Sequence, residues 1–210
     1  MTRKTYNGEK NNKERTMNKL IQAVGVVLEK EGYTGLSIAN IAHAAGVDRK
    51  LITVYFGSVN HLIETYIKGK DYWIGITESV EARLQGYEDA STRVYLETMI
   101  LEQMAHFSKN EEMQKVVTWQ ISEQSDIMSH VTQERERISS MFFPIADKEL
   151  AGRAVDLRAV SSILISAIYY LVLHAKYTDS TVCEIDIRTE EGMARIQEAV
   201  KFILKATYGE

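Results

Sequence analysis

The sequence predicts an all-α protein. Three observations lead there. Apolar residues recur at the three-and-four spacing of helical faces through most of the 210 residues. Pro144 is the single proline, so long helices can run uninterrupted. The turn dipeptides that punctuate β-hairpins are scarce. With 45% apolar and 26% charged residues, the composition is that of an ordinary globular chain with a packed core, not of a disordered or membrane chain.

The elements follow in order. Residues 1–12 are polar and rich in Lys and Asn, and read as a flexible basic arm. From Lys13 to Lys30, Met17, Leu20, Ile21, Val24, Val27 and Leu28 fall on one helical face, and Gly32 stands where glycine ends a helix. Ser37 is a good N-cap, with Leu36 and Ile41 placed for a hydrophobic staple. The short helix after it turns Ile38, Ile41, Ala42 and Ala45 inward. Gly46 interrupts it, Asp48 caps the next helix, and Val47 with Ile52 repeat the staple spacing. Two short helices therefore meet at a tight glycine turn, with Ala42 small at the crossing and Ile52 filling the angle between them, which is what a helix-turn-helix needs.

Gly32-Tyr33, the run SIANIAHAAGVDRKLITVYFGS from Ser37 to Ser58, and Leu62 beyond it resemble the tetracycline-repressor (TetR) family of transcription regulators. The likeness covers about the first third of the chain. It implies a three-helix, homeodomain-like DNA-binding head over residues 13–69 and a helical effector-binding and dimerisation body over 70–210. It also implies a repressor that leaves its operator when a small molecule enters the body. The sequence departs from the family pattern at Thr53, where an aromatic is common, at Lys50, where a small residue is common, and at Val59, where a phosphate-contacting lysine is common. Lys50 and His61 are the candidates to restore that contact. A helical adaptor or ligand-binding protein whose head no longer binds DNA is the alternative, and Val59 is its only support.

Charge agrees with a nucleic-acid-binding head. The net charge is -4, yet residues through 70 hold eleven Lys and Arg against six Asp and Glu, and the remainder holds fourteen against twenty-three. Attraction to phosphate is local, screened over about 8–10 Å, so the split matters more than the sum. At about 100° per residue, the helix from Asp48 to Phe56 puts Ile52, Tyr55 and Phe56 on one side with Asp48, the side expected to face the core. Arg49, Lys50, Thr53 and Val54 lie opposite, on the side a major groove would receive. Arg49 or Lys50 can donate to guanine, and the methyls of Thr53 or Val54 can meet a thymine methyl. Tyr55 stands at the edge with its hydroxyl toward phosphate, and the amides at the Ser37 helix start offer a further phosphate contact.

The body reads as helices over Asp71–Gln85, Thr92–Ser108, Glu111–Ser125, Ile127–Phe142, Ala146–Gly152, Leu157–Tyr177 and Glu190–Thr207. Leu157–Tyr177 is apolar on nearly every face, and the last helix has a similarly broad apolar surface. A second copy is the economical cover, giving a homodimer with an isologous four-helix interface, with Ile168 and Ile203 expected on the outward stripe. Gln103, His106, Trp119, Gln120, Glu123 and His130 are the candidate effector-contacting groups.

Other classes find little support. Cys183 is the only cysteine, so neither an intrachain disulfide nor a multi-cysteine zinc site can form, which suits a reducing compartment. The N-terminus has no apolar leader. The apolar run Val160 to Leu173 falls short of the roughly 20 residues that span a bilayer. A cytoplasmic protein with no membrane partner is expected. Glu102 with His106 and His130 with Glu134 stand at i,i+4, but no Glu-x-x-His pair marks a di-metal bundle. No phosphate loop, nucleophile elbow or dinucleotide fingerprint occurs. No enzyme, metal or cofactor is expected.

Overall fold

The computed structural model describes residues 8–85 and 91–210. The described residues form ten α-helices and a short 3-10 turn, with no strand beyond an isolated bridge between Val182 and Ile185. By contacts the chain divides into two compact units. One takes the residues up to Asp71 together with Thr118–Thr132, and the other takes Tyr72–Val117 and Gln133–Glu210.

In the first unit, α1 (Gly8–Glu31) packs on α2 (Ile38–Ala45) and α4 (Val59–Lys70), and α3 (Lys50–Phe56) packs on α4. Leu20, Val24, Val27 and Leu28 of α1 are buried, as their spacing requires, together with Ala23. Helix α1 starts at Gly8 and so includes Gly8–Asn12, read from sequence as part of the arm; residues 1–7 lie outside the described residues. On α2, Ile41 and Ala42 are buried while Ile38 is 40% exposed. Ile38, expected inward, is the first residue of the helix after the Ser37 cap, and the buried Ile41 and Ala42 supply the inner face of α2 instead. Gly32 ends α1 at φ 70°, its N–H on the Leu28 carbonyl.

Gly46 makes the turn at φ 65° and donates to the carbonyls of Ala42 and His43, and the Val47 N–H reaches Ala42 as well. These bonds satisfy the last carbonyls of α2 and need the left-handed backbone that glycine adopts without penalty. A Cβ at Gly46 would meet nothing within 4 Å, so Gly46→Ala isolates the backbone term. It should cost about 1–2 kcal/mol, read as a lower urea midpoint with unchanged m-value; an unchanged midpoint would mean that the turn is not under that constraint.

The second unit holds α5 (Tyr72–Gln85), α6 (Thr92–Lys109), the first part of α7 (Glu111–Ser122), most of α8 (Asp126–Glu149), α9 (Leu157–Tyr177) and α10 (Glu190–Tyr208). Its core gathers Trp73, Tyr95, Leu96, Met99, Ile100 and Met104 with Phe142, Leu164, Ile168 and Leu204. Helix α8 is one continuous helix through Pro144, where the sequence suggested two separated by a break. The buried stripe Ile138, Phe142, Ala146, Leu150 continues across the proline. Pro144 itself is exposed, so the carbonyl that loses its donor can turn to water, and packing outweighs the local penalty.

Glu149 ties three helix ends together. Its carboxylate accepts from Ser91 Oγ at 2.9 Å, from the Thr92 amide at 2.8 Å and from Thr92 Oγ1 at 2.6 Å, and Thr92 Oγ1 lies 2.8 Å from the Tyr208 hydroxyl. Burial pushes the Glu149 carboxyl up, but the bonds from Thr92 and Ser91 and the charge of Arg153 outweigh it and hold the group below its ordinary value of 4.5. A lowered carboxyl contributes stability that is present above that ordinary value and lost as the pH falls through the folded one. Glu149→Ala should therefore lower stability at pH 7, by no more than about 1 kcal/mol because the carboxylate is largely exposed and screened, and flatten the acid side of the stability curve. Equal acid sensitivity in mutant and wild type would remove the assignment.

Helix α9 buries Leu157, Ser161, Leu164, Ile168 and Val172 along one side, while Ile163 (68%), Tyr170 (59%) and Tyr177 (57%) stand exposed at seven-residue intervals on the other. Ile168, expected outward, is 1% exposed and belongs to the core. On α10, Val200, Leu204 and Tyr208 face in, and Phe202 (72%) and Ile203 (39%) face out. By length and composition alone, α9 is the one described helix long and apolar enough to cross a membrane.

Candidate nucleic-acid interface

The placement of the outer face of α3 starts with α2. Ser37 Oγ accepts from the Asn40 amide at 3.2 Å. The Asn40 side chain donates to Glu31 Oε2 at 2.8 Å and to the Gly35 carbonyl at 2.9 Å, so the end of α1, the 3-10 turn Tyr33–Gly35 and the start of α2 are fixed to one another. Across the Gly46 turn, Asp48 Oδ1 accepts from the Lys50 amide at 2.8 Å, but the N-cap position of α3 is Arg49, one residue later than expected, and Asp48 is exposed rather than turned to the core.

Ile52 is fully buried and Phe56 is 8% exposed, which fixes the rotation of α3. Arg49, Lys50 and Thr53 are exposed on the other side, and Val54 is 69% exposed. An exposed valine surrounded by two cations and a hydroxyl has no structural work to do in this unit, whereas a groove floor offers both methyl groups and acceptors. Tyr55 is half-buried, and Lys13 Nζ lies 5.7 Å from its ring centroid. A third cation, from α1, thus lies beside Tyr55.

His61 is exposed on α4, one turn in from Ser58, whose Oγ accepts from the His61 amide at 3.1 Å. Val59 is half-buried at that helix start.

The six candidate effector groups are divided between the units. Gln103 and His106 lie on α6 in the second; Trp119, Gln120, Glu123 and His130 lie in the first. Trp119 is 7% exposed and stacks on Tyr33, ring centroids 5.5 Å apart and planes 2° from parallel, with no partner for its Nε1 among the described residues. Gln120 and Glu123 line an open groove at the α7–α8 turn with Ser125, Asp126 and Thr132. His130 Nδ1 is 3.5 Å from Glu64 Oε2, and Lys68 Nζ is 2.8 Å from Glu64 Oε1. The Lys68 hydrogen bond, opposed by burial and helped by His130, holds the Glu64 carboxyl below the ordinary range. His106 is exposed, its ring centroid 5.8 Å from that of Tyr72 and its Nε2 3.1 Å from Asn110 Nδ2. Gln103 is buried, at 2% exposure.

Sequence reasoning missed Lys13, Glu64 and Tyr33. Tyr33 had a visible signal, an aromatic directly after the helix-ending glycine, but its partner lies far along the chain and no periodicity links the two.

No protein-family model matches the chain, and no curated protein matches it. Solved structures do. The fatty acid degradation regulator FadR from Bacillus halodurans superposes with a TM-score of 0.61 at 15% identity, over 91% of this chain and 97% of that one. FadR from Bacillus subtilis, solved in complex with stearoyl-CoA, gives 0.61 at 17% identity over 89% and 96%. A TetR transcription regulator from Haloarcula marismortui gives 0.61 at 15% identity over 92% and 98%. The chain has the fold of these TetR-like transcription regulators.

Proposed function

We propose that this chain is a homodimeric, DNA-binding transcription regulator, a repressor released from its operator by a small molecule. The observation that carries the reading is the outer face of α3. Arg49, Lys50, Thr53 and Val54 are exposed together, opposite the buried Ile52 and Phe56, on the second helix of a glycine-turn pair. In that role Arg49 and Lys50 donate to guanine or phosphate, and Thr53 and Val54 meet thymine methyls. Ser37, Tyr55 and His61 contact the flanking backbone, aided by Lys13.

A second copy covers the exposed apolar stripes of α9 and α10, so the operator is a near-palindrome whose half-sites lie about one helical turn, roughly 34–36 Å, apart. That cover also accounts for α9 without lipid, as expected of a cytoplasmic protein. The structural neighbour from Bacillus subtilis holds an acyl-CoA, which supports a ligand-responsive second unit here.

The deciding experiment is a gel shift and footprint with purified full-length protein on the DNA flanking its own gene. A protected near-palindrome, with affinity falling steeply as salt rises, is expected. Binding that is equal on flanking and scrambled DNA would reject the regulator and favour the adaptor.

A further inference from the structure

Among the described buried polar side chains of the second unit, three are bonded. Thr77 Oγ1 donates to the Trp73 carbonyl, Thr92 Oγ1 donates to Glu149, and Gln114 donates to the Phe107 carbonyl while accepting from Lys176. Two buried atoms are not: Gln103 Oε1 and Ser161 Oγ have no partner among the described residues, although the residues are 2% and 3% exposed. Ser161 does not even make the bond to the preceding turn that its neighbour Ser162 makes to the Arg158 carbonyl at 2.8 Å. Buried acceptors left open are destabilising and rare in native cores, so two in one core ask for a missing donor.

The two atoms belong to helices packed on each other. Thr92 at the start of α6 bonds Glu149, and α9 begins at Leu157 a few residues later, so both helices start from the same end. Toward their other ends, the Phe107 and Tyr169 rings meet at 4.8 Å between centroids. Gln103 lies four residues before Phe107 and Ser161 eight before Tyr169. Beyond these rings Lys176 Nζ donates to Gln114 Oε1 at 2.9 Å, so the two helices run in the same direction, and a rise of 1.5 Å per residue offsets Gln103 from Ser161 by roughly 6 Å along them. Around them the core is aromatic and sulfur-rich, with Trp73, Met99, Met104 and Phe142. No charged side chain is among the buried residues described in this unit. Unbranched Met99 and Met104 can yield space more readily than branched residues.

We propose that this core binds a neutral, largely apolar small molecule whose hydroxyl or amide donor engages Gln103 Oε1, with Ser161 Oγ as the second anchor. The site rests on the reading of the second unit as effector-binding and assigns its ligand class. A carboxylate or phosphate would enter without a buried cation to meet it, and a pure hydrocarbon would leave both oxygens open.

The test uses the full-length protein with 2-naphthol as probe, naphthalene as the analogue without a donor and 2-naphthoate as the charged one. Gln103→Met keeps the shape of the side chain and removes the open acceptor, so the unliganded variant should melt about 2–4 °C above wild type. Calorimetry should give saturable 2-naphthol binding to wild type, at least tenfold weaker binding of naphthalene and 2-naphthoate, and at least tenfold weaker 2-naphthol binding by Gln103→Met. Ser161→Ala should weaken 2-naphthol binding without lowering the melting temperature. A Gln103→Met protein that melts below wild type would show the oxygen already satisfied, by a neighbour or an internal water, and would overturn the proposal. So would equal affinity for the three probes, equal 2-naphthol affinity in the variant, or no 2-naphthol binding up to its solubility. None of these arms contains DNA, so operator retardation by unliganded wild type judges the regulator reading separately.

Discussion

Replacing Arg49 and Lys50 together by alanine should lower affinity for the specific operator by at least about 100-fold, because a good bidentate contact to a base contributes about 1–3 kcal/mol and the dimer makes each contact twice. Helical content and dimerisation should be unchanged. Both side chains are exposed and neither forms an ion pair among the described residues, so the packing of the first unit does not depend on them. The informative measurement is a titration at several salt concentrations. The double mutant should show a shallower dependence of log affinity on log salt than wild type, by about one unit for each phosphate contact removed. Retention of the wild-type footprint at unchanged affinity would mean that the reading face lies elsewhere. Val54→Asp serves as a companion: it leaves both cations in place and should fail through repulsion and lost apolar contact.

Ile163→Glu on α9 and Phe202→Glu on α10 should each convert the dimer to monomer at micromolar concentration. Both side chains are mostly exposed, at 68% and 72%, in the single chain, so a charge there is tolerated by the monomer. In an isologous interface it is buried without a partner twice over, which costs several kcal/mol per ion. Sedimentation velocity separates the outcomes, and a circular dichroism melt verifies that the monomer is folded. Operator binding should fall with dimerisation, since a single head makes half the contacts. Two mutants that sediment like wild type would place the interface elsewhere. Ile168→Glu, which the sequence alone suggested, is a different experiment: Ile168 is 1% exposed, so the substitution would unfold the core rather than test the interface.

That contrast marks where the sequence was legible. The cap at Ser37, the Gly46 turn and the bounds of Leu157–Tyr177 were readable because each depends on residues within one or two turns. The rotation of α3 was readable because Ile52 and Phe56 stand four residues apart on one side, opposite Arg49, Lys50 and Thr53. The rotation of α9 was not, since a helix apolar on every face offers no contrast, and only its packing partners distinguish Ile168 from Ile163. Pro144 misled because a local penalty was weighed without the buried stripe that continues across it. Trp119 was read as an effector contact because mid-helix tryptophan in an apolar stretch is ambiguous. Its ring lies flat on Tyr33, a residue that no short-range pattern connects to it. Gln103 was read as a candidate effector contact on α6; its burial and its open oxygen are properties of three-dimensional surroundings.

The Tyr33–Trp119 stack also bears on modularity. The compact unit that presents α3 is discontinuous in the chain, because it needs Thr118–Thr132 as well as the residues up to Asp71. A gene fragment ending at Asp71 would encode every proposed DNA-contacting side chain yet leave Tyr33 without its stacking ring and Glu64 without His130. Such a fragment should be less stable than the same residues in the full chain. A chimera made by exchanging heads at that boundary should work only when the donor also contributes the α7–α8 turn. Recombination between relatives of this fold would then be constrained at two separated places in the gene, and a new DNA specificity would be acquired more readily by point changes on α3 than by trading whole heads.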